Sequence, residues 1–379
     1  MDKKRILFIY GPLGGGGAER VLIDFLRNID YDRYDVDLAV ICRGGVLMDE
    51  VPARVKVIEL WNGYSAGYKI ALRLSLWLRC NYLFKRKMNG PLLSDIYDLE
   101  VSFLEGMPLK LHACRHSKAR KATWVHADLY THRYEAPVFF PGEEIAAYNK
   151  MDTVVNVSKD CEKAFCRRFP DCKSDLEVIY NPIDRAKIVA MAAGSETHKT
   201  VDRFLTVITV GRLTAQKRPD RLLKVARLAK DASLPVKFKW VGDGELMGDM
   251  LSMRDELGLA DTVEFTGFTK NPYQHIAAAD IMMVTSDFEG FCLVICEAMC
   301  LGVPVISTRT AGPTEIVGDN EFGVLTELDE HSLFDALKKW VKNPEARKTV
   351  AAKAQSRPDE YDVHTALNSL YCLVNGSDK

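Results

Sequence analysis

Residues 281–302, IMMVTSDFEGFCLVICEAMCLG, place a strand pattern, a loop and a helix pattern in direct succession. The apolar run Ile281 to Val284 is typical of a buried strand, and we expect the helix to begin near Phe291. In parallel sheets, ligands bind at the carboxyl ends of strands, beside the N-termini of the helices that follow. This stretch therefore predicts a doubly wound α/β fold with an anion site after the strand.

Two carboxylates, Glu289 and Glu297, lie eight residues apart in this stretch. A helix that begins near Phe291 would point the amides of three residues at an anion, and the two glutamates would flank it. The residues that supply these amides are Phe291, Cys292 and Leu293, directly after Gly290. Carboxylates accept hydrogen bonds from hydroxyl groups such as those of ribose and sugars.

Strand and helix patterns alternate along the whole chain, which predicts parallel sheets covered by helices on both faces. In the first half, KRILFIY and YDVDLAVIC flank the helix pattern GAERVLIDFLRNI. In the second half, RFLTVITVGRL and VKFKWVGDG flank PDRLLKVARLAKD. A polar segment near 185–202 separates the halves. We therefore expect two Rossmann-like domains, at 1–190 and 200–358, and a C-terminal helix within 359–379.

Composition excludes several classes of protein. The chain has 379 residues, 47% hydrophobic and 27% charged, with a net charge of −1, so no overall charge favours nucleic acid. The first apolar run, ILFIY, is too short for a signal peptide, and no run reaches the roughly 20 apolar residues of a membrane span. Ten cysteines without disulfide-scaffold spacing favour a cytoplasmic protein with reduced thiols.

A glycine loop, GGGGAER at 14–20, follows the first strand and opens the first helix. Gly15, Gly16 and Gly17 allow a ligand to approach the backbone closely. A dinucleotide fingerprint is the competing interpretation, but it requires an acidic residue at the end of the second strand. That strand ends in Arg43, and the next carboxylate is Asp49.

Two further motifs end strands. GRLTAQK, residues 211–217, carries Arg212 and Lys217, two cations that could bind an anion at the end of the strand; an isolated pair of this kind is often only a solvated surface feature. WVHAD, residues 124–128, carries His126, although a lone strand-end histidine is usually structural. Glu105 in SFLEG ends another strand, and we include it as a candidate for contact with a second substrate.

The glutamate pair, the Arg–Lys pair, the histidine and the glycine loop together resemble family-four retaining glycosyltransferases of the GT-B fold, over nearly the whole chain. The resemblance implies two Rossmann-like domains facing a central cleft, with a C-terminal helix that packs back on the N-terminal domain. It implies that Arg212 and Lys217 hold the donor pyrophosphate without a metal or other cofactor. It also implies contacts of Glu297 with ribose, of Glu289 with the sugar, and of His126 with the reacting sugar.

The family holds the nucleotide base largely through backbone groups, which implies such a role for Gly242 and Phe268. The implied reaction moves a hexose or N-acetylhexosamine from a nucleoside diphosphate sugar, with UDP favoured over GDP, to a glycan acceptor in an α linkage. Two alternatives stay open: a nucleotide-sugar epimerase or hydrolase on the same fold, and a non-catalytic transferase-like subunit.

A basic segment spans residues 61–125. It carries eleven Lys and Arg residues against four acids, a difference of +7 in a nearly neutral chain. Its stretch YKIALRLSLWLRCNYLFKRK is typical either of an interfacial helix or of a core helix with a solvated basic face. The first interpretation predicts a peripheral contact with the anionic inner face of a membrane, where a lipid-linked acceptor would lie.

Cys292, Cys296 and Cys300 repeat every four residues. One helix stripe rarely supplies convergent metal ligands, so we interpret these three as buried core thiols.

Overall fold

The computed structural model describes residues 3–93, 96–131, 138–194 and 204–376. The chain divides into two compact units, the first formed by Met1–Pro182 with Val363–Lys379 and the second by Ile183–Asp362. The predicted boundary at 185–202 falls partly on residues 195–203, which lie outside the described ranges, as does Asp95 of the basic segment.

The described part of the first unit contains one parallel sheet of seven strands, in the order β3-β2-β1-β4-β5-β6-β7. Its strands are β1 Lys4–Tyr10, β2 Tyr34–Cys42, β3 Lys56–Trp61, β4 Leu99–Ser102, β5 Arg120–Val125, β6 Thr153–Asn156 and β7 Asp175–Val178. Its helices are α1 Gly17–Asn28, α2 Ala66–Leu78, α3 Tyr82–Met88, α4 Met107–His112, α5 Glu143–Tyr148 and α6 Lys159–Arg168. Short 3-10 helices occupy Met48–Glu50 and Pro91–Leu93.

In the second unit, the described residues form a parallel sheet of six strands, in the order β10-β9-β8-β11-β12-β13. Its strands are β8 Leu205–Val210, β9 Val236–Val241, β10 Val263–Phe265, β11 Ile281–Val284, β12 Val305–Thr308 and β13 Val324–Thr326. Its helices are α7 Arg185–Ala192, α8 Pro219–Asp231, α9 Met247–Glu256, α10 Tyr273–Ala277, α11 Leu293–Cys300, α12 Ala311–Val317, α13 Glu330–Lys342 and α14 Pro344–Ala354. The 3-10 helices are Ala215–Lys217 and Arg357–Tyr361.

The predicted α/β class and the two Rossmann-like units are confirmed. Strands such as β11 are buried at every residue, as apolar strands covered on both faces must be. Helix α1 buries one stripe, Val21, Leu22, Ile23, Phe25 and Leu26, against the sheet. Each sheet begins with its first strand in the middle and adds later strands on both sides, which creates a switch point beside that strand.

The C-terminal helix α15, Val363–Asn375, belongs to the first unit and contacts α1 and β5. This return to the first unit was expected and is confirmed. The Tyr371 ring stacks on Tyr34, with ring centroids 4.6 Å apart, and its hydroxyl accepts a hydrogen bond from the Asp30 amide at 2.8 Å. Leu370 is fully buried, so apolar packing fastens this helix.

The basic segment does not form one face. Lys110 is buried and pairs with Glu143 at 2.8 Å, and Arg115 is buried and pairs with Glu100 at 2.6 Å. The predicted membrane contact through 61–125 therefore has to be narrowed to exposed cations. Apart from Lys118, these lie on α2, on α3 or, for Arg79, directly after α2. The stretch 68–87 also forms two helices and not one. Helix α2 is capped by Arg79, which has a left-handed φ of 50°, and α3 begins at Tyr82. Among the described helices, none is long and apolar enough to cross a bilayer.

We predict that Leu370→Ala lowers the free energy of unfolding of the first unit by about 2–5 kcal/mol, because it leaves a cavity beneath α15. Scanning calorimetry of the full chain should show a lower transition for this unit and an unchanged transition for the second. Cys372→Ala, on an exposed position of the same helix, is the matched control and should change stability by less than about 0.5 kcal/mol. Equal effects of the two variants would show that α15 is not fastened by this packing.

Candidate functional site

The site in the second unit forms at the switch point between β8 and β11. These neighbours run parallel, with Ile281 paired to Val207 and Met282 to Ile208, so their carboxyl ends lie at the same edge of the sheet. The loop after β8 carries Lys217, and the loop after β11 carries Glu289. The sheet order alone therefore brings together two side chains that are 72 residues apart in sequence.

The two side chains form an ion pair. Lys217 Nζ donates to Glu289 Oε1 at 2.5 Å, and Ser286 Oγ donates to the same oxygen at 2.6 Å. Within the described part of the chain, no hydrogen bond reaches Glu289 Oε2. Burial opposes the charge of Lys217, but the Glu289 carboxylate outweighs it, so the pKa of Lys217 lies above its ordinary value. One carboxylate oxygen is thus committed to the protein, and the other can accept a ligand hydroxyl.

Three hydrogen bonds fix the two loops to each other. The Asp287 amide donates to the Gln216 carbonyl at 2.9 Å, Gln216 Nε2 donates to the Phe288 carbonyl at 2.9 Å, and Thr285 Oγ1 donates to the Lys217 carbonyl at 2.7 Å. These bonds position Lys217 and Glu289 through their backbones. Nothing in the sequence singled out Gln216 or Thr285, because their role depends on the pairing of β8 with β11.

Asp287 fastens the loop after β11 to helix α8 and to Arg218, the residue before it. Its carboxylate binds Arg218 at 3.1 Å and the buried Arg221 at 2.7 Å, and Arg221 also donates to the Thr285 carbonyl at 2.6 Å. The helix α8 that carries Arg221 therefore holds the loop on which Ser286 and Glu289 stand.

The loop after Glu289 differs from expectation in one respect. Helix α11 begins at Leu293, two residues later than predicted, and Cys292 precedes it in a left-handed conformation with φ 75°. Phe291 and Cys292 therefore belong to the loop, and their amides are not part of the first helical turn. The Phe291 ring packs edge-to-face on Tyr361 at 5.1 Å, which fastens the loop to the 3-10 helix that follows α14.

Glu297 lies inside α11, buried, and accepts a hydrogen bond from the Tyr273 hydroxyl at 3.3 Å. Tyr273 is the first residue of α10 and was not singled out by its sequence pattern. Cys292, Cys296 and Cys300 are all buried, and burial raises the pKa of each thiol. In the described ranges, no three His, Cys, Asp or Glu side chains converge as metal ligands would.

The ends of β8, β9 and β10 approach one another closely. The Gly242 amide donates to the Gly267 carbonyl at 2.9 Å, and a Cβ on Gly242 would lie 2.0 Å from the Gly211 carbonyl oxygen. Phe268, next to Gly267, is half exposed, and Arg212 is exposed after Gly211. Gly242 therefore has to be glycine because the Gly211 backbone packs against it, and Phe268 follows the residue to which Gly242 is hydrogen-bonded.

In the first unit, the predicted residues also follow strands at one sheet edge. Gly15, Gly16 and Gly17 follow β1, Glu105 follows β4, and His126 follows β5. Gly15 has φ 97°, a conformation that favours glycine, and Gly17 is the first residue of α1. A second glycine pair, Gly44 and Gly45, packs against the start of this loop. A Cβ on Gly45 would lie 2.0 Å from the Leu13 carbonyl oxygen.

His126 is held by its backbone. Its amide donates to Glu105 Oε2 at 2.9 Å, and its ring lies 5.1 Å from the Phe103 ring. Burial lowers the pKa of His126 to about 3, against an opposing backbone hydrogen bond at Phe103. Burial raises the pKa of Glu105. Glu105 thus positions the histidine loop, and His126 is neutral at physiological pH.

Comparison with known proteins connects this geometry to a family. Residues 195–357 match the model of the group 1 glycosyl transferases. Over these residues the chain is similar to that family. The matched residues include every residue of the second half that was predicted to hold the nucleotide and sugar.

Two curated relatives are similar over longer stretches. An enzyme of Campylobacter jejuni, N-acetylgalactosamine-N,N'-diacetylbacillosaminyl-diphospho-undecaprenol 4-alpha-N-acetylgalactosaminyltransferase, is 33% identical over 60% of this chain and 61% of its own length. This chain thus covers under two thirds of that enzyme. The lipopolysaccharide core biosynthesis glycosyltransferase LpsD of Rhizobium meliloti is 26% identical over 89% of this chain and 88% of its own length.

Among solved structures, Anabaena HepE in complex with UDP and glucose matches with a TM-score of 0.76. The match covers 98% of this chain and 99% of that chain at 21% identity, which shows a shared fold. The expected GT-B class is thereby confirmed.

We predict that Gly312→Ala disrupts the loop after Glu289, because its Cβ would lie 2.3 Å from Phe291 Cα and 2.4 Å from the Phe291 carbonyl oxygen. The second unit should lose about 1–3 kcal/mol of unfolding free energy, measured by calorimetry. Gly248→Ala, whose Cβ meets nothing within 4 Å, is the control and should be neutral or slightly stabilising. A neutral Gly312→Ala would mean that the loop is not packed in this way.

We predict that the His126 ring shows no protonation between pH 8 and pH 5 in the folded chain, because the pKa of His126 is lowered to about 3. The unfolded chain binds this proton near pH 6.5, so the site's contribution to stability is lost as pH falls from about 6.5 toward 3. NMR of chain labelled at histidine, with His126→Gln for assignment and urea-unfolded chain as reference, measures this. A folded-state midpoint near 6.5 would contradict the burial of the ring.

Proposed function

We propose that this chain transfers a hexosyl or N-acetylhexosaminyl unit from a nucleoside diphosphate sugar, with UDP favoured, to a glycan acceptor. The observation that carries the proposal is the Lys217–Glu289 pair at the switch point of a group 1 domain. It sets a cation and a hydroxyl acceptor at one sheet edge, which suits a donor with a charged pyrophosphate and a neutral sugar.

The cations act on the leaving group. Negative charge grows on the pyrophosphate as the bond to the sugar breaks, so fixed cations stabilise the transition state more than the ground state. Lys217 is held in place by Glu289 and its raised pKa keeps it charged, while Arg212 is exposed and so accessible to the phosphates. Two such cations supply the charge that a divalent metal would otherwise supply, so we expect a metal-independent reaction.

The carboxylates act on hydroxyl groups. Glu289 Oε2 would accept a hydrogen bond from the sugar, beside backbone groups after Gly290, and Glu297 would accept from ribose. The backbone at Gly242, with Phe268, would receive the base. The HepE structure, which carries UDP and glucose in its name, supports a donor of this class. The role of His126 toward the reacting sugar rests on the family resemblance.

The proposed reaction retains the anomeric configuration. The bond from the anomeric carbon to the β-phosphate oxygen breaks, the acceptor hydroxyl oxygen bonds to that carbon on the same face, and its proton passes to the leaving phosphate oxygen. No enzyme nucleophile is required. A trapped glycosyl-enzyme intermediate would refute this step.

For the acceptor, we propose a lipid-linked glycan of surface polysaccharide or glycoconjugate assembly. The Campylobacter relative acts, by its name, on a diphospho-undecaprenol glycan and forms an α linkage, and LpsD is named for lipopolysaccharide core synthesis. The first name supports an α linkage, and both names support a membrane-associated glycan as the acceptor.

The first experiment screens UDP and GDP sugars by thermal shift and by nucleotide release, with and without EDTA and acceptor. Stabilisation by one nucleotide series, with EDTA-insensitive release that an acceptor accelerates, would support the proposal. Conversion of the donor sugar without nucleotide release would instead indicate an epimerase, and release that no acceptor accelerates a hydrolase. Binding without turnover would indicate a non-catalytic subunit.

We predict that Glu289→Gln and Lys217→Ala each lower turnover by about 100-fold or more, because each removes an interaction with the reacting donor. Lys217→Arg should rescue only in part, since a planar fork replaces a compact charge. Steady-state rates of donor turnover measure this, with circular dichroism to verify folding. Lys342→Ala, exposed at the end of α13, is the charge-matched control. Near-wild-type turnover of both site variants would refute these assignments.

A further inference from the structure

Helices α2 and α3 expose large apolar side chains to solvent. Trp77 is 87% exposed, Leu78 68%, Tyr82 63% and Ile70 51%. Single exposed apolar residues are ordinary, but four on two consecutive helices that pack on each other form a patch, and such patches mark interaction sites.

The exposed apolar residues of α2 lie on a different face of the helix from its buried residues. Helix α2 buries Tyr68, Ala71 and Ser75, whose spacing of three and four residues defines its inner stripe. Ile70, Arg73 and Trp77 repeat at the same spacing on an exposed stripe. A helix that serves only as a cover for the core would carry polar residues there.

Charge in this part of the chain has one sign. Residues 60–94 contain six Lys or Arg and no Asp or Glu. Five of these cations are exposed and one is partly buried, in contrast to the buried Lys110 and Arg115 further along the chain. The exposed cations are Lys69, Arg73, Arg79, Lys85 and Arg86, and the partly buried one is Lys87.

A groove of about 350 Å³ opens beside the patch. Its walls are mainly apolar, with Trp61, Ala71, Leu83 and Leu92 among the lining residues, and Arg86 and Lys87 also line it. The combination of an apolar space with cations beside it fits a molecule that is apolar at one end and anionic at the other.

We propose that the exposed surface of α2 and α3, formed by Ile70, Arg73, Trp77, Leu78, Tyr82, Lys85 and Arg86, docks onto a bilayer that contains anionic phospholipid. Tryptophan and tyrosine partition to the headgroup region, leucine and isoleucine reach the acyl boundary, and the cations meet the phosphates. We choose a bilayer as the partner because residues 60–94 carry six cations and no acid, and the phosphates of an anionic bilayer complement charge of one sign.

This inference deepens the proposed function by placing the chain where a lipid-linked acceptor would lie. Docking itself involves no donor and no acceptor. Vesicle binding and nucleotide release therefore test the two proposals separately.

The test is co-sedimentation of the full chain with vesicles of phosphatidylcholine alone, or with about one third phosphatidylglycerol. We expect binding to the anionic vesicles at about 0.01 M salt and release at about 1 M salt, where the Debye length falls from about 30 to about 3 Å. Trp77 emission should shift to the blue on binding, and Trp77→Phe should lose that shift.

Two variants and two matched controls locate the surface. Lys85→Glu with Arg86→Glu should weaken binding at least about twentyfold, since each cation near an anionic surface contributes about fivefold. Trp77→Ser with Leu78→Ser should weaken binding at about 0.01 M salt although it removes no charge, because it removes the apolar side chains that enter the bilayer. The controls are Lys339→Glu with Lys342→Glu, exposed on α13, and Leu328→Ser, which is 41% exposed in the second unit.

Binding that depends on anionic lipid and is lost only in the α2–α3 variants would support the proposal. Equal binding to neutral and anionic vesicles, equal loss in the controls, or no vesicle binding would overturn it. If vesicles do not bind and Trp77→Ser with Leu78→Ser abolishes self-association, the surface is an interface between copies of the chain. Normal donor turnover in a variant that no longer binds vesicles would leave the proposed function intact.

Discussion

The second unit depends on the attachment of two loops, 214–218 and 285–289, to each other at the carboxyl ends of β8 and β11. Three hydrogen bonds between the loops and the grip of Arg218 and Arg221 on Asp287 set the positions of Lys217 and Glu289. The pair forms at 2.5 Å because the backbones of the two loops place the side chains together. The protein itself therefore fixes the orientation of both charges.

The charge state of the Lys217–Glu289 pair depends on its partial burial. A lysine and a glutamate taken out of water individually would cost several kcal/mol, and together with Ser286 they offset that cost. Glu289 keeps Lys217 protonated, and Lys217 and Ser286 occupy one oxygen of Glu289. The result is a cation with donors to spare beside a carboxylate oxygen that can still accept, which is the combination a charged leaving group and a hydroxyl-rich sugar require.

In the first unit, contacts with the backbone hold the candidate residues in position. Its glycine loop is closed by Gly45 against Leu13, and His126 is held through its amide by Glu105 rather than through its ring. Burial keeps the ring neutral, so His126 is suited to hydrogen bonding and unsuited to carrying positive charge at physiological pH. Away from this edge, α2 and α3 leave Trp77 and a set of cations in water, where the fold itself gives them no role.

The sequence by itself determined the α/β class, the two sheets and the order of the motifs, because apolar strands, amphipathic helices and glycine turns are local patterns. It also singled out Glu289, Lys217 and His126 as candidates, each of which follows a strand. Only the tertiary structure decided which side chains bind these candidates and their loops. No local signal marks the side chains that do so, namely Gln216, Thr285, Ser286, Arg221 and Tyr273, and Glu105 accepts from a backbone amide.

Packing likewise settled three further features: the start of α11 at Leu293, the break at Arg79, and the division of the basic segment into buried pairs and exposed cations. Such features depend on which strands become neighbours and which side chains lose water, and no local pattern records either.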